Sequence, residues 1–174
     1  METGELLTRW TARIAMMLYA LSLARRLNTG WRTPDKTAAA LWAAGCGVYL
    51  AHFACAFGFY MRWSHAVAFQ HTAVRSAEVV GWRFGGGIFF NYAFTAVWLV
   101  DAIWMIAGRA SYARRPRSYD LLVHGYMAFM ALNGVIVFGP SPTREIGAVV
   151  LVGLVALWFR SRRQRSSSGN GSFA

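Results

Sequence analysis

Charge is scarce in this chain, and negative charge scarcest. Of 174 residues, 14% are charged, against roughly 25% in a soluble domain. Only 7 are Asp or Glu, set against 18 Lys and Arg. That poverty argues against a soluble enzyme and against a disordered polyelectrolyte. Cysteine occurs twice, at Cys46 and Cys55 in one apolar segment. Nine residues of helix separate them by about 13.5 Å of rise and half a turn, and a disulfide needs Cα atoms within about 7 Å. They are expected to be packing residues, and a disulfide scaffold is excluded. No CxxC or CxxCH pattern is present, so covalent haem attachment and a zinc ribbon are excluded too. HExxH, GxSxG, phosphate-loop and paired-Glu motifs are likewise missing.

What the chain has is apolar length. Hydrophobic residues make up 56% and aromatic residues 16%, gathered into long runs with arginines between them. A helix crossing the hydrocarbon core needs about 20 apolar residues. Such runs extend over 37–61, 85–108, 119–138 and 143–159, the last flanked by Arg144 and Arg160, whose stems can reach the interface. A first segment, 8–27, is strictly apolar only from Ile14 to Ala24 apart from Ser22. It lacks the strong polar face of an interfacial helix, so a spanning helix is expected. The sequence therefore predicts an all-α integral membrane bundle of about five transmembrane helices over 1–160, or four if the first is interfacial. The acidic start (Glu2, Glu5) does not suit the basic n-region of a signal peptide.

Arginine placement predicts sidedness. Twelve of the 18 basic residues fall after the first, third and fifth spans: Arg25, Arg26, Arg32 and Lys36, then Arg109, Arg114, Arg115 and Arg117, then Arg160, Arg162, Arg163 and Arg165. With five spans these clusters share one side, which the positive-inside rule makes cytoplasmic. The expected location is the cytoplasmic (inner) membrane with the C-terminus inside. Trp10, Trp31, Trp42, Trp63, Trp82, Trp104 and Trp158 fall near predicted interfaces, and only Trp98 sits at mid-span.

The outer segment 62–84 mixes apolar and polar residues as a surface helix ending near Gly81 would. Gly85, Gly86 and Gly87 then suit a close helix approach. Pro140 and Pro142 suit a tight hairpin. Residues 161–174 have no apolar periodicity and are expected to form a disordered basic tail. Arg162, Arg163 and Arg165 in it, with Arg160 just before it, would attract anionic lipid, at about 1 kcal/mol each near the surface. No nucleic-acid-binding fold accompanies the positive charge, so no nucleic-acid partner is expected.

Ionisable groups inside a span are costly and are functional candidates by default. There are three: His52 in the second span, Asp101 in the third and His124 in the fourth. Asp101 and His124 sit about 8–11 Å from the inner boundary, on antiparallel neighbours, so they are expected to meet. Such a pair is either a proton relay or two polar groups satisfying each other. Asp120, one turn before His124, competes for it. Asn91 and Asn133 match in depth and are expected to pair between helices, a contact worth about 0.6 kcal/mol. Asn91, Thr95, Trp98 and Asp101 form a stripe expected to face the bundle interior.

On the second span, Gly45, Tyr49, His52, Ala56 and Phe59 share a face. That pattern suits a close helix crossing, and also the surroundings of a b-type haem. His52 and His124 differ in depth by about 15 Å, too far to clamp one haem. A haem or metal centre would need His52 with His65 or His71, and Glu78 as a further ligand, with the outer segment folded back. His71 and Glu78 stand about 10.5 Å apart on one helix, so that helix alone cannot chelate an ion.

The stretches WSHAVAFQHTA, GGGIFFNYAFTAVWLVD and AFMALNGVIVFG resemble segments of small bacterial polytopic membrane proteins without an assigned role. The resemblance covers spans two to four and brings no activity, cofactor or partner. The function expected is a non-enzymatic accessory or structural membrane subunit, joined to another membrane protein or to copies of itself. The rivals are a haem- or metal-binding redox protein using the outer-side histidines, and a proton-coupled carrier using Asp101 and His124.

Overall fold

The computed structural model describes residues 3–29, 31 and 33–169. Every regular element among them is helical: α1 (Thr3–Thr29), α2 (Lys36–Phe59), α3 (His65–Val80), α4 (Gly87–Ala107), α5 (Arg109–Ala113), α6 (Arg117–Leu132), a π-helical turn over Asn133–Val137, and α7 (Thr143–Gly169). Three stretches are long and apolar enough to cross a membrane: Lys36–Phe59, Gly87–Ala107 and Arg117–Val137. Helices α1 and α7 are longer but carry charges near their ends, such as Glu5, Arg9 and Arg26 on α1.

Helices α1 and α2 form an antiparallel hairpin. Asp35 starts α2 by accepting a hydrogen bond from the Ala38 amide at 2.8 Å, the usual work of an N-cap aspartate. Arg25 of α1 donates to the same carboxylate at 2.9 Å. The Ala38 amide and then Arg25 hold the Asp35 carboxyl below its ordinary range. The register continues along the pair. The Ser22 hydroxyl donates to the Ala38 carbonyl at 2.9 Å. His52 Nδ1 lies 2.9 Å from the Thr8 carbonyl, to which it donates. Gly4 faces the Phe59 ring. Helix α1 thus lies along α2 for its whole length, not across it.

Glycine allows the close approach. A Cβ on Gly45 would come 2.9 Å from the Trp98 ring of α4 and 3.3 Å from Leu18 Cβ of α1. Small residues at such crossings let backbones approach. Gly45→Leu is expected to cost about 1–3 kcal/mol through overpacking. The shift would show in the denaturant midpoint of tryptophan fluorescence in detergent, and Gly47→Leu is its control, since nothing lies within 4 Å there.

The core centres on Tyr19, Trp42 and Trp98, whose ring centroids lie 5.6 to 5.7 Å apart, with Phe94, Met105 and Met127 around them. Trp98 is buried, as its mid-span position implies. Trp42 is fully buried as well, which corrects its reading as an interfacial residue. The face of α2 that carries Trp42 turns inward, so its ring meets Tyr19, Trp98 and His124 rather than headgroups.

A smaller cluster of Phe57, Met61, Ala68 and Ile88 closes the other end. There α3 lies with Ala68, Ala73 and Ser76 inward and Val67, Phe69 and Val74 outward. Ser64 caps its start, and Gly81 at φ 75° ends it, a left-handed position that glycine takes without a Cβ clash. Helix α7 packs on α1 and on the π turn. It runs on to Gly169, so the first part of the stretch expected to be disordered is helical. Once a helix is nucleated, each added residue gains a backbone hydrogen bond, and the apolar stretch of α7 supplies the nucleus. Residues 170–174 lie outside those described.

Candidate functional site

The buried face of α1 carries Ala15, Tyr19, Ser22 and Arg26, spaced as one stripe of a helix. That register points Arg26 into the bundle, where it is 0% exposed. Its guanidinium lies 4.8 Å from the Trp42 ring centroid, a cation–π contact. Arg26 Nη1 lies 3.1 Å from His124 Nε2 on α6. Nη2 approaches Met105 Sδ of α4 at 3.3 Å. Both Nη atoms reach the Tyr112 hydroxyl at longer range, 3.5 and 3.4 Å. An arginine has only donors to offer. His124 Nε2 must therefore accept, which places the ring proton on Nδ1 and makes the imidazole neutral.

Tyr112 comes from the short helix α5. Its hydroxyl accepts from Arg26 and donates to Asp101 Oδ2 of α4 at 3.0 Å. Burial pushes that hydroxyl up to about 12, so it stays protonated and can donate at neutral pH. Beneath it, Arg115 is buried and stacks 3.5 Å from the Tyr112 ring centroid. Arg115 Nε donates to Asp120 Oδ1 of α6 at 2.7 Å, and Nη1 donates to the Tyr112 carbonyl at 2.5 Å. Two arginines thus face two aspartates in a centre tying α1, α4, α5 and α6 together. With His124 neutral, the formal charges of these described residues cancel, as a low-dielectric interior favours.

Asp101 and His124 fall in one network, as their depths suggest, but Tyr112 and Arg26 stand between them. Asp120, expected to compete for His124, pairs with Arg115. Arg26, Arg115 and Tyr112 were not singled out from the sequence. The two arginines read there as members of the cationic loop clusters. The available signal was the Tyr19–Ser22–Arg26 spacing, which puts one of two adjacent arginines on the inner face.

Several buried polar atoms of this centre and of the ring cluster beside it have no protein partner: Arg26 Nε, His124 Nδ1 and Asp101 Oδ1 in the first, Trp42 Nε1, Trp98 Nε1 and the Tyr19 hydroxyl in the second. Such groups are rare in native proteins and call for a reason. Asp101 Oδ1 can take up a proton while Oδ2 keeps its bond to Tyr112. Chemically, the centre can bind one proton or clamp four helices.

The outer-side candidates are not brought together. His52 is turned to α1 by the Thr8 carbonyl. His65 Nδ1 lies 2.9 Å from the Tyr92 hydroxyl of α4, because the Ser64 cap starts α3 at once after the turn. His71 is exposed, and Glu78 pairs with Arg75 at 3.0 Å. Among the described residues, no group of three or more His, Cys, Asp or Glu could hold a metal ion. The Asn91–Asn133 pair does not form either. Asn133 lies in the π turn and donates back to the Phe129 carbonyl at 2.8 Å. The bond across this part of α4 and α6 is instead Tyr126 Oη to the Phe90 carbonyl, at 2.7 Å. Of the tail arginines, Arg160, Arg162 and Arg163 are exposed, with Arg162 over the Trp158 ring at 4.2 Å. The side chain of Arg165 lies outside the described residues. No family model, curated protein or solved structure matches the chain.

Proposed function

We propose that this chain is a multi-pass protein of the cytoplasmic membrane, crossing it five times with the C-terminus inside, and that it acts as a non-enzymatic membrane subunit through helix–helix contact. The observation that carries the role is the buried centre of paired charges. Arg26 and Asp101 are 0% and 1% exposed, sealed by rings, and used to fasten four helices. The five-span count draws support from α1 lying along α2, which gives both helices the same relation to the bilayer. Helix α7 adds an outward face of Ile146, Val149 and Val152, suited to lipid or to a neighbouring membrane protein. Cysteine substitution at Val152, followed by oxidative cross-linking in native membranes, tests the role. A discrete cross-linked species, with itself or with one partner, is expected. A chain that stays monomeric and partner-free across the exposed positions of α7 refutes it.

A second reading, a proton-coupled carrier, is favoured by the unpartnered Asp101 Oδ1 beside the Tyr112 hydroxyl. It predicts that Asp101→Asn abolishes a pH-dependent flux in proteoliposomes while membrane insertion is kept. In the clasp reading, Asp101→Asn lowers stability by leaving Arg26 uncompensated, and the added change Arg26→Met restores it. The two outcomes are separated by a pH-sensitive dye inside the vesicles and a denaturant titration of the same samples.

A further inference from the structure

Charge at the Arg26 end of the bundle is distributed unevenly. Its acids are matched: Asp35 with Arg25, Asp120 with Arg115, and Asp101 with Arg26 through Tyr112. Lys36, Arg109, Arg114 and Arg117 have no acidic partner among the described residues. One of these, Arg109, sits at a recess of about 200 Å³ formed with Thr33, Pro34, Met105, Tyr112 and Ala113. Met105 and Tyr112 are buried and form its floor. Arg109 and Thr33 are exposed at its rim. The recess is several times the roughly 30 Å³ share of one water in the liquid.

Its position matters as much as its charge. It opens where α4 ends at Gly108, the boundary of a helix apolar enough to cross a membrane. Val100, Ile103 and Ile106, at successive turns of α4, are 59%, 55% and 61% exposed. An apolar track therefore runs down the outside of α4 and ends at a cation beside a hydroxyl. We propose that this recess binds the phosphate of an anionic phospholipid. The Arg109 fork, whose geometry suits phosphate oxygens, and the Thr33 hydroxyl hold the headgroup, and an acyl chain lies along Val100, Ile103 and Ile106. The surplus of positive charge around the recess draws anionic lipid to it. A free phosphate ion would have no use for the track. The site rests on the reading that α4 crosses the membrane, and it is distinct from the diffuse attraction of the arginines on α7.

The test is native mass spectrometry of the full chain purified in mild detergent, with phosphatidylglycerol or phosphatidylcholine added back. One phosphatidylglycerol per chain is expected to stay bound, and inorganic phosphate is not expected to displace it. Arg109→Gln should weaken retention roughly tenfold, as loss of one charge-assisted contact does. Thr33→Val should weaken it less. Arg109→Lys should fall between wild type and Arg109→Gln, and it keeps the test open if the glutamine variant misfolds. Combined Arg→Gln changes at 160, 162, 163 and 165 should leave the bound lipid in place. Full retention by a folded Arg109→Gln protein overturns the proposal, as does equal retention of phosphatidylcholine, displacement by inorganic phosphate, or loss confined to the 160–165 variant. Alkaline carbonate extraction separates the two levels. A chain released from membranes refutes the spanning of α4 and this site with it. A chain retained in membranes, with retention indifferent to Arg109, refutes this site alone.

Discussion

Arg26→Ala is expected to be the most damaging single substitution in the chain, costing about 3–5 kcal/mol. The loss has three sources. Tyr112 and His124 lose the guanidinium that bridges them. Trp42 loses the cation over its ring. Asp101 is left as a buried charge whose nearest support is a neutral hydroxyl. The penalty arises mainly from the stranded carboxylate, not from the vanished contacts, because removing one member of a buried pair leaves its partner uncompensated. This leads to a sharper expectation for the double variant Arg26→Met with Asp101→Asn, which should be more stable than Arg26→Ala alone. Replacing both charges with neutral groups removes the desolvation cost as well as the attraction. Tryptophan fluorescence during denaturant titration reports directly, since Trp42 and Trp98 lie in the same cluster. If the double variant is as unstable as the single one, charge compensation is not what holds the centre together.

Arg115→Ala should come second, at about 3–5 kcal/mol, through loss of a buried guanidinium that bonds Asp120 and stacks on Tyr112, and with a local signature. Arg115 fixes α5 in two ways, through the Tyr112 carbonyl and by stacking on the Tyr112 ring. It also holds Asp120 at the start of α6. Without it, α5 loses its attachment to α6, and Tyr112 is freed to leave Asp101. Amide exchange should therefore rise first over residues 108–116 and only later in the rest of the bundle. Arg115→Lys should recover only part of the loss, because an ammonium can meet Asp120 but cannot stack flat on a ring. Uniform loss of protection along the chain would show that α5 is not a separable clasp.

Much of the architecture was legible in the sequence. Apolar runs locate helices because a long helix of apolar residues has few alternatives in lipid, and α2, α4 and α6 lie where those runs do. The helix over the outer segment followed from its mix of apolar and polar residues, and it ends at Gly81, where a left-handed turn suits glycine. Depth along a helix was also readable, which is why Asp101 and His124 fall in the same layer. What could not be read was facing. Arg25 and Arg26 are adjacent in sequence, yet one pairs with Asp35 at the rim and the other is fully buried. The difference is 100° of helical rotation, and it has meaning only once α1 has a neighbour. Trp42 misled for the same reason: its place near a helix start suggested an interface, but its inward face put it in the core. The link between Asp101 and His124 passes through Tyr112, from a five-residue helix with no apolar run of its own to announce it. Asn133 went astray because matching depth says nothing of facing, and its amide turns back to the Phe129 carbonyl of its own helix.

The placement of Arg26 has a consequence for how the protein is made. Ribosomes deliver α1 first and Asp101 some 75 residues later. During that interval α1 carries an arginine whose compensating carboxylate has not yet been synthesised. The hairpin with α2 offers a temporary hold through Ser22 and Asp35 and sets the Trp42 ring beside the Arg26 guanidinium, but Asp35 is paired with Arg25 and not with Arg26. The first helix is thus held in waiting by the second and secured by the fourth and fifth. A nascent chain arrested with Asp101 still inside the ribosome should expose an arginine without its carboxylate at the translocon and be a target for membrane quality control, while one arrested after Asp101 and His124 have both emerged should already be protected.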